Sequence, residues 1–77
     1  MTTLAQLSVG ARGRVVRVNQ FDEVSARLME MGLTPGVDVQ VLGAAPLGDP
    51  IELALRGYRL SVRRTEAARV EVEQVNV

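Results

Sequence analysis

Seventy-seven residues without cysteine or histidine exclude disulfide staples and any thiolate or imidazole metal site. Stability must therefore come from packed apolar side chains, which make up 47% of the chain, in what reads as a single domain over residues 1–77. Nine arginines, no lysine and nine acidic residues give a formal charge of zero, so no net field draws the chain to phosphate backbones or anionic lipid.

The first apolar pair, Leu4 and Leu7, is followed by Ser8-Val9-Gly10 and predicts a short turn that docks both leucines on the core. Arg14-Val15-Val16-Arg17-Val18-Asn19 is β-branched and predicts a strand with Val16 and Val18 facing inward. From Asp22 to Met31 the apolar period lengthens: Val24, Leu28 and Met31 fall on one helical face. Asp22 is the predicted N-cap, with Phe21 placed to staple against Ala26. Gly32 is the predicted left-handed residue at the helix end, with Leu33 folding back on the last turn. Thr34-Pro35-Gly36 carries the type II turn pattern.

Val37, Val39 and Val41 alternate with polar residues as a third apolar face, and Gly43 to Pro50 reads as a loop. Ile51–Leu55 alternates again, Arg56-Gly57 is a hairpin tip, and Tyr58, Leu60 and Val62 share a face opposite Arg59, Ser61 and Arg63. Thr65–Ala68 predicts a single 3₁₀ turn capped by Thr65, before a last strand with Val70 and Val72 inward and Glu71 and Glu73 outward. The sum is an all-β chain: a small SH3-like five-stranded barrel, with one short α-helix after the first strand and a 3₁₀ turn before the last.

Without histidine, cysteine or lysine, the usual nucleophile–base pairs cannot be assembled, and no enzyme activity is expected. Only oxygen ligands are present. Glu71 and Glu73 on one strand face, or Glu23 and Glu30 along the helix, form no closed shell for a transition metal. No metal site and no cofactor are expected. The arginines cluster at residues 12–17 and 56–64, but Phe21 and Tyr58 are the only aromatics, too few for a stacking platform. Nucleic acid is not the expected partner. No stretch approaches the ~20 apolar residues that span a bilayer, no secretory signal is visible, and the expected location is the cytoplasm.

Protein–protein contact remains. Val24, Leu28 and Met31 suffice to pack the helix, which leaves Met29 and Leu33 as surplus apolar residues. With Pro35 and Leu47 they are the candidate contacts, with Arg27 and Glu30 at the rim. Self-association through an open edge at the last strand is the further expectation.

The run Arg27-Leu28-x-x-Met31-Gly32-Leu33-x-Pro35-Gly36-x-x-Val39 resembles the signature of the FeoA family. Ala45-Pro46-Leu47-Gly48-Asp49-Pro50 is similar to that family's loop, and Gly57, Leu60, Arg63 and Glu66-Ala67 to its closing pattern. The opening Leu4-x-x-Leu7-x-x-Gly10-x-x-Gly13 extends the likeness over nearly the whole chain. The resemblance implies a cytoplasmic SH3-like accessory protein of bacterial ferrous iron uptake, acting with FeoB, a membrane Fe²⁺ transporter with a GTPase domain. It also implies kinship with the C-terminal metal-responsive modules of iron-dependent repressors.

Overall fold

The computed structural model describes residues 2–75. The chain order is β1 (Thr2–Thr3), a 3₁₀ turn (Leu4–Gln6), β2 (Arg12–Val18), α1 (Glu23–Glu30), β3 (Asp38–Ala44), β4 (Ile51–Leu55), β5 (Tyr58–Val62), α2 (Arg64–Ala67) and β6 (Val70–Val75). One antiparallel sheet takes all six strands in the order β1-β6-β2-β3-β4-β5. The fold is all-β, as expected, with one strand more than the five predicted. The extra strand is β1, whose Thr2 and Thr3 pair with Val72 and Glu71. Two polar residues carry too little period to be read as a strand.

The sheet is not closed by a hydrogen-bonded ladder, because β1 and β5, at the two ends of the strand order, do not pair with each other. The 3₁₀ turn after β1 packs instead on α2, which follows β5. The Arg64 guanidinium donates to the Ala5 carbonyl at 2.9 Å across that seam. The last strand was expected to be the open edge, yet β6 lies between β1 and β2. The long unpaired edge belongs to β5.

Strands β3 and β4 bear out their alternation, whereas of the face expected in β5 Val62 is buried, Leu60 half-buried and Tyr58 exposed. Val37, Val39 and Val41 are buried, as are Ile51, Leu53 and Leu55, and they join Leu4, Leu28, Leu33 and Val70 in one apolar cluster. The loop expected from Gly43 starts two residues later, because β3 continues through a bulge at Leu42 to Ala44. The inward residue of β2 is Val15, not Val16. The pairing with β6 shifts between Val15 and Arg17, and a bulge reverses the side-chain phase of everything on one side of it. Val18 keeps its predicted contact with the core.

Glu71 is also misplaced by simple alternation. It sits on the outer side of β6 yet is only 6% exposed. Its Oε2 lacks a hydrogen bond and lies 3.4 Å from Arg17 Nε, so charge is what compensates its burial.

Helix α1 begins as predicted. Asp22 is extended, and its carboxylate accepts from the Ser25 amide at 3.0 Å. Arg69 Nη1 reaches the same carboxylate at 2.5 Å. The Ser25 amide, and then the Arg69 guanidinium, hold the Asp22 carboxyl below its ordinary value of 3.8. A lowered folded-state value means a stabilising contribution that is full above about pH 4 and lost as pH falls through the folded-state value. Asp22→Asn keeps a capping oxygen but loses the charge. The difference in urea midpoint between wild type and D22N is therefore expected to be largest near neutrality and to vanish in acid. A gap that persists unchanged at the lowest pH would contradict this linkage.

The helix also ends as predicted. Gly32 has φ +112°, its amide donates to the Met29 carbonyl at 3.0 Å, and the Leu33 amide donates to the Leu28 carbonyl at 3.1 Å. These two bonds define the Schellman cap. Gly36 (φ +91°) and the bond from the Val37 amide to the Thr34 carbonyl at 3.2 Å complete the turn on Pro35. By contrast, the expected 3₁₀ turn near Thr65 is one turn of α-helix with Arg63 as its N-cap. Glu66 Oε1 accepts from the Arg63 amide at 3.0 Å, so the cap is drawn two residues earlier by a carboxylate inside the turn.

Candidate docking site

The expected staple of Phe21 against Ala26 does not form. Asp22 turns inward to Ser25 and Arg69, and neighbouring side chains in an extended segment point to opposite sides. Gln20, at φ +70°, finishes the turn out of β2. Phe21 is thereby thrown fully into solvent. One signal was available in the sequence: the residue opposite it is alanine, whose single methyl offers a benzyl ring little to hold.

Around Phe21 the surface is apolar and concave. A groove of ≈ 370 Å³ is lined by Val18, Phe21, Met29 and Pro35, together with Arg17, Asn19 and Gln20. A second hollow of ≈ 230 Å³ shares Val18, Phe21 and Met29 with it and adds Asp22, Ser25 and Ala26. Ala26 and Met29 are three apart and share an exposed helix face. Met29 is 42% exposed. A concave apolar surface with a mobile thioether and an aromatic ring has the composition of a contact centre.

The candidate contacts separate into different places. Met29 and Pro35 line the groove. Leu33 does not belong to it: it is 0% exposed and part of the core, because the Schellman cap turns its side chain under the helix. Arg27 points away from the groove to α2, where it forms an ion pair with Glu66 and lines a different hollow with Pro50, Ser61 and Arg63. Glu30 is exposed at the last residue of α1. Leu47 is 97% exposed on the β3–β4 loop. That loop is tied down by Arg64, whose amide donates to Asp49 Oδ1 at 2.9 Å and whose Nε donates to the Gly48 carbonyl at 3.0 Å. Among the described residues no three acidic side chains converge as metal ligands, and no helix is long and apolar enough to cross a membrane.

The model of the FeoA domain matches residues 2–74. The chain belongs to the FeoA family. A Porphyromonas gingivalis fusion of Fe(2+) transport protein A with the Fe(2+) transporter FeoB is 36% identical over 73 residues, 95% of this chain. The chain spans only 9% of that fusion protein's length. The solution structure of FeoA from Chlorobium tepidum is 40% identical with a TM-score of 0.89, over 97% of this chain and 71% of that one. The crystal structure of Stenotrophomonas maltophilia FeoA with zinc, described as a prokaryotic SH3 domain protein, is 28% identical with a TM-score of 0.83, over 95% and 91% of the two chains. The all-β, SH3-like reading of this FeoA-family chain is thereby shown. A manganese-dependent transcriptional repressor shares the fold over 96% of this chain, with a TM-score of 0.87 at 18% identity. That likeness is one of fold alone.

Proposed function

We propose that this chain is a cytoplasmic, non-catalytic accessory protein of ferrous iron uptake that acts by direct contact with a FeoB-type membrane transporter. The observation that carries the reading is the P. gingivalis relative, in which an FeoA part and FeoB share one polypeptide. Natural fusion keeps two parts at high effective concentration, which serves parts that act together. The surface that suits the role is the groove of Phe21, Met29 and Pro35. Most of the arginines speak against nucleic acid as partner: Arg14, Arg17, Arg27, Arg59 and Arg69 are each ion-paired with an acid of the chain itself.

The test is retention of the transporter's soluble GTPase part on immobilised chain. Phe21→Asp combined with Met29→Asp is expected to abolish retention while leaving the circular dichroism and melting temperature near wild type, since both side chains are exposed. Full retention by that folded double variant would remove the groove from the reading. Failure of the wild-type chain to retain the transporter would remove the reading itself.

A further inference from the structure

The edge of β5 carries more than its burial suggests. Leu55 and Tyr58 face each other across the two-residue tip Arg56-Gly57, whose φ values of +49° and +83° mark a type I′ turn. In such a hairpin the residues flanking the tip exchange both main-chain hydrogen bonds, and pairs then alternate. Leu53–Leu60 and Ile51–Val62 are therefore bonded pairs, whereas Ala54–Arg59 and Glu52–Ser61 are not. It follows that the N–H and C=O groups of Arg59 and Ser61 point away from β4. Among the described residues no other strand pairs with β5, and no turn, loop or cap bond engages the main chain of residues 58–62. Both residues are exposed.

The surroundings select for charge. Ser61 forms part of a hollow of ≈ 290 Å³ with Arg27, Pro50, Arg63 and Glu66. Glu66 is engaged by Arg27 and Glu52 by Arg59. Arg63 has no ion pair among the described residues and is exposed, so the edge has a spare cation beside its free main-chain groups.

We infer that β5 is a strand-addition site for an extended, acidic segment of another protein, which pairs with the main chain of Arg59 and Ser61 and places a carboxylate on Arg63. A second copy of this chain fits poorly. Residues 58–63 carry two arginines and no acid, so a second β5 edge brings no carboxylate to Arg63 in any antiparallel register, and the register about Ser61 sets Arg59 of one copy opposite Arg63 of the other, like charges that are destabilising. An acidic segment turns the same arginines into attractive contacts. The inference rests on the reading of this chain as a contact protein, but names a surface distinct from the Phe21–Met29 groove.

An array of overlapping peptides covering the soluble segments of the FeoB-type transporter from the same organism tests it. Capture of peptides of alternating acidic and β-branched residues is expected. Ser61→Pro removes one outward N–H at an edge position that tolerates proline, and is expected to reduce that capture at least about tenfold, the equivalent of one lost main-chain hydrogen bond. Arg63→Glu keeps the whole main chain and is expected to lose capture of acidic peptides, which guards against an S61P variant that fails to fold. Capture that is unaffected by R63E, or an array with no acidic peptide captured, would overturn the inference. So would a wild-type dimer in gel filtration that S61P converts to monomer, since the edge would then belong to a second copy. If the array is blank while the wild-type chain still retains the intact GTPase part, the edge fails and the accessory role stands.

Discussion

Gly32→Val is expected to destabilise the fold by about 2–3 kcal/mol, combining the backbone cost of a Cβ at positive φ with the displacement of the Tyr58 hydroxyl from its bond to the helix end. A domain of this size has roughly 4–12 kcal/mol in total at 0.05–0.15 kcal/mol per residue, so a loss of that size is a large part of the whole. Two separate causes act at this position. The backbone is held at φ +112° by the Schellman bonds, where any side chain is strained. A Cβ built there also collides with the Tyr58 hydroxyl and comes within 3.4 Å of Leu55 Cδ1. That hydroxyl is in place because it donates to the Met31 carbonyl, one of the orphan acceptors at the helix end.

Gly36 separates the two causes. Its φ is +91°, but nothing lies within 4 Å of an added Cβ. Gly36→Val should therefore show the strain alone, about 1–2 kcal/mol. Gly32→Ala in a Tyr58→Phe background should recover the collision part and keep the strain. Urea midpoints of these three variants, and of Tyr58→Phe alone as the reference for the last, measure this. Equal losses for G32V and G36V would show that the contact with Tyr58 contributes nothing.

The same helix end shows what the sequence can disclose and what it cannot. Gly32, Leu33, Pro35 and Gly36 announce cap and turn because each has a local stereochemical requirement that few other residues meet. Strands β4 and β5 are legible because their period is unbroken and the Arg56-Gly57 tip fixes the register, and β3 is legible as far as its bulge at Leu42. Val15 escapes the alternation because the bulge between Val15 and Arg17 is a two-strand event with no mark in β2 alone, and the burial of Glu71 escapes it because its neighbours come from β1 and β2, which pair with it on either side. At the proposed docking site, Met29 is legible as surplus on a short amphipathic helix. Phe21 is not, because its exposure depends on Asp22 being drawn to Arg69, 47 residues away. The Arg27–Glu66 pair, which takes Arg27 out of the groove, is equally non-local. The β5 edge became visible only with the strand order, since an alternating segment reads the same at a sheet edge as at its centre.

Leu33→Ala is expected to cost about 2–5 kcal/mol, the range for removing a fully buried leucine, and Leu33→Asp to prevent folding through an unpaired buried charge. Met29→Ala, only four residues along the chain, is expected to change stability by no more than about 0.5 kcal/mol, as exposed positions do. The contrast follows from the cap. The Leu33 amide must reach the Leu28 carbonyl, and this swings the Leu33 side chain beneath α1 into the cluster with Leu28 and Leu53. Met29 sits on the outward side of the same turn, beside Phe21 and Pro35. Thermal melts of the single variants therefore sort the apolar residues of this segment into those that hold the fold and those free to meet another protein. A Met29→Ala loss as large as that of Leu33→Ala would mean that Met29 is engaged in packing, and an engaged side chain has no apolar surface left to offer a transporter. A small loss at both positions would mean that α1 is held by its caps and not by its buried face, contrary to the expectation that short helices draw most of their stability from packing.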